Sequence, residues 1–211
     1  MVRQPAFVFR LSAAAAFVLA LLLLLQAPLA AAEPARRFIS DAADEAIAAM
    51  VEPGLSERER EQRVRALLNE HFAVEEIARF VLGRHWPRAT EAERREYLRL
   101  FEDIIVFAYI DRFDRFTGES MTVGRVTPTG LPDEVVVQTE FSQPRGTRPV
   151  QVGWRLRETD TGFEIIDVVV ENVSMSQTQR SEFASVVRRS GGRIEGLLAE
   201  MRAMLERFRS S

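Results

Sequence analysis

The sequence contains no cysteine and no lysine, and its only histidines are His71 and His85. Without cysteine the chain has no disulfide, no thiol nucleophile, no thiolate metal site and no cysteine for lipid attachment. Without lysine it has neither a Schiff-base amine nor the phosphate-binding lysine of a P-loop. The two histidines lack ligand partners at metal-site spacing, so we predict no metal and place each histidine at the surface or at a helix end.

Standard catalytic motifs are also missing, including the G-x-S-x-G elbow and a glycine-rich turn after a strand. One enzyme hypothesis stays open, because a carboxylate buried in an apolar cavity can act as a general base. Asp103 and Asp167 are the candidates, with Tyr109 as a donor. The alternative is that Asp103 is solvated and that Asp167 bonds to backbone or to an arginine. We assign no catalytic residue and no cofactor.

Stretches of residues with charges of one sign are rare along the chain, because arginines mostly alternate with glutamates, as in ERERE at residues 57–61. Such mixtures are typical of solvated helix surfaces. A nucleic-acid groove would need a patch of one sign with stacking aromatics. The sequence shows no such patch, so no nucleic-acid partner is predicted.

The N-terminus has the pattern of a cleaved secretory signal peptide, predicted over residues 1–32. A short basic region precedes an apolar run at 11–25, and a small-x-small cleavage site ends at Ala32. The run is shorter than the roughly 20 residues of a membrane span. Cleavage would remove two of the 28 basic residues and none of the 31 acidic ones. We therefore expect an exported, mildly acidic single domain at 33–211, with an uncleaved anchor as the alternative.

The mature chain predicts an α+β fold in which about six helices and four antiparallel strands are segregated. Capping-box spacing at Ser56–Glu59 and Thr90–Glu93, and the pair Ser176–Gln179, mark helix starts. The predicted helices are 36–50, 56–72, 74–82, 91–116, 176–189 and 194–208, and the strands are 122–127, 134–142, 150–159 and 163–173.

The fourth strand breaks the usual alternation of apolar and polar residues. Ile166, Val168 and Val170 would share one face, while Ile165 and Val169 would lie on the other. We therefore predict that this strand is central and covered on both sides.

Residues 77–116 carry more large apolar side chains than one helix face can bury. A helix that packs on one side needs an apolar stripe only roughly 100° wide. The surplus predicts either a core shared on two sides or an apolar cavity.

Three separated segments resemble the MlaC family. They are ARFVLGRHW at 78–86, the following ATEAERREYLRLFEDII, and DVVVENVSMSQTQRSEF at 167–183. The family pattern matches Ala78, Arg79, Leu82, Gly83, Trp86, Phe101, Tyr109, Asp167, Glu171, Val173, Ser174, Arg180, Ser181 and Phe183.

The resemblance implies a cone-shaped fold in which a twisted four-stranded sheet and helices enclose an apolar cavity. It implies a periplasmic phospholipid carrier, also labelled a toluene-tolerance auxiliary protein, that supports outer-membrane lipid asymmetry. The implied partners are a phospholipid, an inner-membrane ABC transporter complex and an outer-membrane lipoprotein complex, and we expect a monomer. A hopanoid-associated carrier of the same family and a cone-fold enzyme acting on a small apolar substrate remain alternatives.

Energetics permit such a carrier, since two acyl chains have on the order of 30 methylenes and lose roughly 25 kcal/mol on entering water. We expect a pocket of roughly 800 Å³. An empty cavity of that size would cost roughly 19 kcal/mol, more than the ~5–15 kcal/mol that stabilises a domain. The protein should therefore purify with lipid or partly collapse without it.

The predicted lipid contacts are apolar side chains of helices and sheet, any of which could instead be ordinary core: Phe72, Ile77, Val81, Phe101, Ile104, Ile105, Ala108, Tyr109, Val137, Val152, Trp154, Ile166, Val168, Val170, Phe183 and Val187. At the mouth, Arg79, Arg84 or Arg180 could bind a headgroup through forked hydrogen bonds. Structural pairing of these arginines with Glu171 or Asp167 is the alternative.

Overall fold

The computed structural model describes residues 32–51, 54–114, 120–142 and 148–210, so almost all of the predicted signal peptide lies outside the described residues. Within these ranges six α-helices, a 3₁₀ helix and an antiparallel sheet confirm the predicted α+β class. In chain order the elements are α1 (Ala32–Val51), α2 (Glu57–His71), α3 (Val74–Leu82), the 3₁₀ helix (Gly83–Arg88), α4 (Glu91–Asp114), β1 (Ser120–Pro128), β2 (Glu134–Ser142), β3 (Val150–Thr159), β4 (Gly162–Val170), β5 (Val173–Ser174), α5 (Met175–Arg189) and α6 (Ile194–Ser210).

Two predicted capping boxes start helices in the structure. At α2, the Glu59 amide donates to Ser56 Oγ (3.3 Å) and the Ser56 amide donates to Glu59 Oε2 (2.9 Å). At α4, Thr90 and Glu93 make the same reciprocal pair, at 3.3 and 2.8 Å. Each box satisfies two amides that the first helical turn leaves without partners.

The N-cap residue of helix α5 lies two residues earlier than predicted. Ser174, not Ser176, is the N-cap, because its hydroxyl accepts a hydrogen bond from the Gln177 amide (3.1 Å). The Ser176 amide instead donates to Asp167 Oδ1 (3.1 Å), and the Ser174 hydroxyl donates to Asp167 Oδ2 (2.5 Å). Asp167 thus joins β4 to the first turn of α5.

The sheet has five strands in the order β1-β2-β3-β4-β5, so the prediction of four strands is wrong. The fifth strand is the two-residue β5, which pairs with Val169 and Val170. Between β4 and β5, Glu171 and Asn172 have φ angles of 48° and 68°, as in a tight two-residue hairpin turn. The predicted fourth strand at 163–173 therefore ends at Val170 instead, and the turn lacks the glycine that usually marks such a hairpin in the sequence.

A β-bulge changes the faces of β4. Arg155 pairs with Asp167 while Leu156 pairs with Ile165, which leaves Ile166 as an extra residue. An extra residue reverses the alternation beyond it. Ile165 therefore lies on the same face as Val168 and Val170, so the prediction that it lies on the opposite face from them is wrong.

Within the described ranges, three apolar clusters hold the domain together. The helical core contains side chains of α3, the 3₁₀ helix, α4, α5 and α6. The sheet core lies between one face of the sheet and α1, and a smaller cluster lies between α2 and α4. Their most buried members include Tyr97, Leu100 and Leu198 in the helical core, Ile39, Val137, Leu156 and Ile165 in the sheet core, and Val64, Leu68 and Val106 in the third cluster.

The surplus of apolar side chains at 77–116 is divided between two of these clusters. Tyr97, Leu100 and Phe101 of α4 lie in the helical core, whereas Val106 and the partly buried Tyr109 contact α2. The helix therefore packs on two sides, which is the first of the two predicted explanations.

Candidate functional site

An apolar pocket of about 150 Å³ lies where α1 and α2 meet the inner face of the sheet. Among the described residues its lining contains neither an arginine nor a carboxylate. The lining consists of Ile39, Ala42, Ala43, Ala46, Ile47, Val64, Leu67, Leu68, His71, Phe72, Tyr109, Met121, Phe141, Trp154 and Ile165.

The pocket exists because small side chains on one element face large ones on others. Ala42, Ala43 and Ala46 form the wall that α1 contributes, and an alanine helix face cannot fill the space above Phe72 and Trp154. The rings of Phe72 and Tyr109 meet edge to face at 6.3 Å. The result is a gap beneath α1 rather than a solid core.

The indole N–H of Trp154, which lies in the wall, is satisfied within the protein. The Trp154 indole donates its N–H to Thr139 Oγ1 (2.9 Å), and the Thr139 hydroxyl donates to the Val152 carbonyl (3.2 Å). Buried indole and hydroxyl groups cost free energy unless they are hydrogen-bonded. These bonds leave the Trp154 ring as apolar surface for the pocket.

His71 connects the two helices at the pocket. Its Nε2 lies 2.8 Å from Glu45 Oε2 of α1, and its ring meets the Phe38 ring edge on, with the centroids 5.6 Å apart. His71 is 9 % exposed and His85 is 5 % exposed. His71 ends α2, which is one of the two predicted positions, whereas His85 is buried within the 3₁₀ helix. The prediction is therefore wrong for His85.

Glu70 completes a group with Glu45 and His71, whose ligand atoms lie within 4.8 Å of one another. No sequence spacing indicates this group, because its members come from two helices. A structural zinc site takes four ligands, and the described residues supply only these three.

Three of the predicted lipid contacts line the pocket: Phe72, Tyr109 and Trp154. The structure places the other thirteen elsewhere. The helical core contains Val81, Phe101, Phe183 and Val187, and Ile77, Ile104 and Ile105 pack against it. The sheet core includes Val137 and Val168. Of the remaining four, Val152 is buried, Ile166 and Val170 are partly buried on β4, and Ala108 is exposed.

Sequence reasoning missed the contribution of α1. The sequence feature that could have indicated this wall is the repeated alanine at positions 42, 43 and 46 of an amphipathic helix, because it gives that helix a face of small side chains. Alanine is compatible with close helix packing as well as with a cavity wall, so the signal alone did not distinguish the two.

The predicted mouth residues Arg79, Arg84 and Arg180 do not line the pocket. Arg79 pairs with Glu75, and the Arg180 guanidinium lies 4.8 Å from the centre of the Phe80 ring. They belong to the surface formed by α3, the 3₁₀ helix and α5.

The two candidate general bases are engaged by other groups and lie outside the pocket lining. Asp103 is buried and binds the guanidinium groups of Arg65 (2.7 Å) and Arg99 (3.3 Å), so the expectation that it is solvated is wrong. Asp167 accepts hydrogen bonds from two backbone amides and from the Ser174 hydroxyl. Neither carboxylate faces the apolar pocket where a substrate would bind.

Two titratable groups near the helical core are strongly affected by burial. Burial raises the pKa of the Tyr97 phenol, whose hydroxyl donates to the Ala78 carbonyl (2.8 Å). Burial, followed by the charges of Arg84, Arg88 and Arg188, lowers the pKa of His85. Both groups are therefore neutral at pH 7.

The architecture defines an α+β domain with an apolar pocket between helices and one sheet face. The chain belongs to the MlaC family, since the family model described as MlaC protein matches residues 40–203. Its fold is also similar to that of a phospholipid-binding protein from Ralstonia solanacearum, solved in complex with a phospholipid. That likeness has a TM-score of 0.69 and 18 % sequence identity, and covers 82 % of this chain and 97 % of the other.

None of the helices in the described ranges combines the length and the apolar character needed to cross a membrane.

Proposed function

We propose that this protein is a periplasmic phospholipid carrier that shields acyl chains in the pocket between α1, α2 and the sheet. The observation that carries the proposal is a pocket lined by apolar side chains, without arginine or carboxylate among its described residues. Membership of the MlaC family and a fold shared with a phospholipid-bound protein support it. Phe72, Tyr109, Trp154 and the alanine face of α1 are the proposed lipid contacts.

The pocket must enlarge to hold a whole lipid. A volume of about 150 Å³ accommodates one benzene ring, whereas two acyl chains have on the order of 30 methylenes. Because the pocket is partly open to solvent, its cost is below the roughly 4 kcal/mol that an enclosed cavity of this volume would have at about 24 cal/mol per Å³, which a folded domain tolerates. The expected 800 Å³ would be tolerated only with lipid inside.

Helix α1 is the element best suited to move outward. Its alanines bury little apolar surface, so separating them from the pocket costs less than separating the same number of leucines. Its buried anchors are Ala35 and Ile39 near the N-terminal end. We propose that the part of α1 around Ala42–Ile47 shifts to admit acyl chains. The other predicted contacts remain predictions.

Export by a signal peptide at 1–32 and action in the periplasm are part of the proposal, as is exchange of lipid with an inner-membrane ABC transporter complex and an outer-membrane lipoprotein complex. The protein would act as a monomer without a cofactor. We propose no enzymatic activity, because Asp103 and Asp167 are bound by arginines and backbone amides.

The test is lipid analysis of the full chain, expressed with its own N-terminus and purified from the periplasm without detergent. We expect native mass spectrometry to show a complex heavier than the protein by one phospholipid, and solvent extraction to release that phospholipid. Protein without any lipid, whose compactness and thermal stability do not change when phospholipid is added, would refute the proposal. Release of a hopanoid would support the alternative cargo.

A further inference from the structure

Two arginine-rich segments that are distant in sequence lie together on the helical side of the molecule. Residues 77–89 contain three arginines and no acidic residue, and residues 180–194 contain four arginines and one acidic residue, Glu182. Helices α3 and α5 pack against each other, so the segments become neighbours. We name Arg79, Arg84, Arg88, Arg180 and Arg188 the arginine surface.

Most of this positive charge is not neutralised by the protein itself. Arg79 pairs with Glu75, but the ion pairs of the described residues leave Arg84, Arg88 and Arg188 without a carboxylate partner. All three side chains are exposed. Several arginines elsewhere do pair with acids, as Arg202 does with Glu96 at 2.7 Å. The arginine surface is distinguished by three arginines without a carboxylate partner that lie around the same buried side chain, His85.

Aromatic rings hold several guanidinium groups in place. The Arg180 group lies over the Phe80 ring at 4.8 Å from its centre, and the guanidinium groups of Arg79 (5.1 Å) and Arg94 (5.3 Å) lie over the Trp86 ring. A Cβ at Gly83 would come within 3.0 Å of the Arg180 guanidinium, and the φ of Gly83 is 55°. Glycine at this position therefore provides the space that Arg180 occupies.

The floor of the surface adds no negative charge. His85 is 5 % exposed, and neither of its ring nitrogens has a hydrogen-bond partner among the described residues. The charges of Arg84, Arg88 and Arg188 act on it together and lower its pKa further than burial alone. A neutral imidazole thus lies beside three guanidinium groups that remain available to a ligand.

We propose that the arginine surface is a docking site for an acidic segment of a partner protein. Fixed guanidinium forks match carboxylates in a bidentate manner, and arginine with aromatic residues is enriched at protein interfaces. Phe80, at 37 % exposure, supplies an apolar contact beside the charges. The whole chain has a net charge of -3, which opposes general adsorption to an anionic bilayer or nucleic acid.

The experiment measures binding of a fluorescein-labelled peptide of alternating glutamate and glycine to the full mature protein. One variant carries Arg84→Glu, Arg88→Glu and Arg188→Glu. The matched control carries Arg37→Glu, Arg58→Glu and Arg207→Glu, which are exposed and make the same change in net charge. We expect about tenfold weaker binding in the first variant and at most about twofold in the control, with both effects reduced at high salt.

Vesicles of phosphatidylglycerol and a single-stranded oligonucleotide serve as competing probes. Equal weakening by the two triple variants would overturn the proposal, as would tighter, arginine-dependent binding of either competing probe. Both variants should retain the melting temperature and co-purifying lipid of the parent. Loss of lipid in the first variant alone would also overturn it, because the surface would then belong to the lipid site. If the glutamate variant does not fold, the corresponding glutamine variant should weaken peptide binding about threefold.

Discussion

The substitution Ala46→Trp tests the role of the pocket in lipid binding while leaving the rest of the fold unchanged. Ala46 lines the pocket from α1, while Ala48, two residues further along, is exposed. An indole ring is larger than the single benzene ring that a cavity of about 150 Å³ accommodates. Ala46→Trp should therefore fill the pocket, and Ala48→Trp should place the same ring in solvent.

The expected effects on stability and on lipid binding have opposite signs. Filling the cavity recovers at most roughly 4 kcal/mol at about 24 cal/mol per Å³, and overpacking costs about 1–3 kcal/mol. The melting temperature should thus stay level or rise by up to about 10 °C. Lipid must displace an indole worth about 2–3 kcal/mol of burial, so its affinity should fall by a factor of roughly 30 to 150.

The assay compares bound phospholipid per protein, from solvent extraction and mass spectrometry, with thermal melting of the parent and both variants. Ala48→Trp should match the parent in both measurements. The reasoning would be refuted if Ala46→Trp kept the lipid content of the parent. A variant that lost lipid only because it had unfolded would show a melting temperature well below that of Ala48→Trp.

Three further predictions concern the fold. The pKa of His85 lies below its ordinary value of about 6.5, so the stability that its neutral form contributes is complete above pH 6.5 and is lost as the pH falls towards the lowered pKa. His85→Phe should therefore flatten the melting-temperature profile below pH 6.5, and an unchanged slope would contradict this. Asp167→Ala leaves the Ser176 amide unpaired and should lower the free energy of unfolding by about 2–4 kcal/mol in denaturant titration; a loss below about 0.5 kcal/mol would show that this junction is unimportant. Tyr97→Phe removes a buried hydrogen bond to the Ala78 carbonyl and should cost about 1–2 kcal/mol, whereas a neutral result would mean that the carbonyl finds another partner.

Local signals predicted those parts of the fold that depend on neighbouring residues. The two capping boxes and the bounds of α3, β2 and β3 agree with the prediction, because caps and strand alternation act within a few residues. The bulge at Ile166 was missed, since it depends on how β4 pairs with β3. The hairpin at Glu171–Asn172 was missed because neither residue is the glycine that normally marks such a turn.

The pocket illustrates the same limit. Phe72, Tyr109 and Trp154 were predicted as cargo contacts, and they do line it; whether they bind lipid stays a prediction. The alanine face of α1 was not predicted, because an alanine stripe is equally compatible with close packing until the opposing surface is known. The arginine surface was predicted only in part. Arg79, Arg84 and Arg180 were expected at the mouth of the pocket, whereas Arg88 and Arg188 were not expected beside them, since the two segments lie about 100 residues apart and meet only when α3 packs on α5.

By itself the sequence determined the class of fold, the absence of thiol and lysine chemistry, and a resemblance to the MlaC family, because composition, periodicity and spaced motifs are properties of the chain alone. Only the tertiary structure decided which apolar residues are core and which line a pocket, and which charges remain unpaired. These properties depend on distances between residues that are remote in sequence, and packing sets those distances.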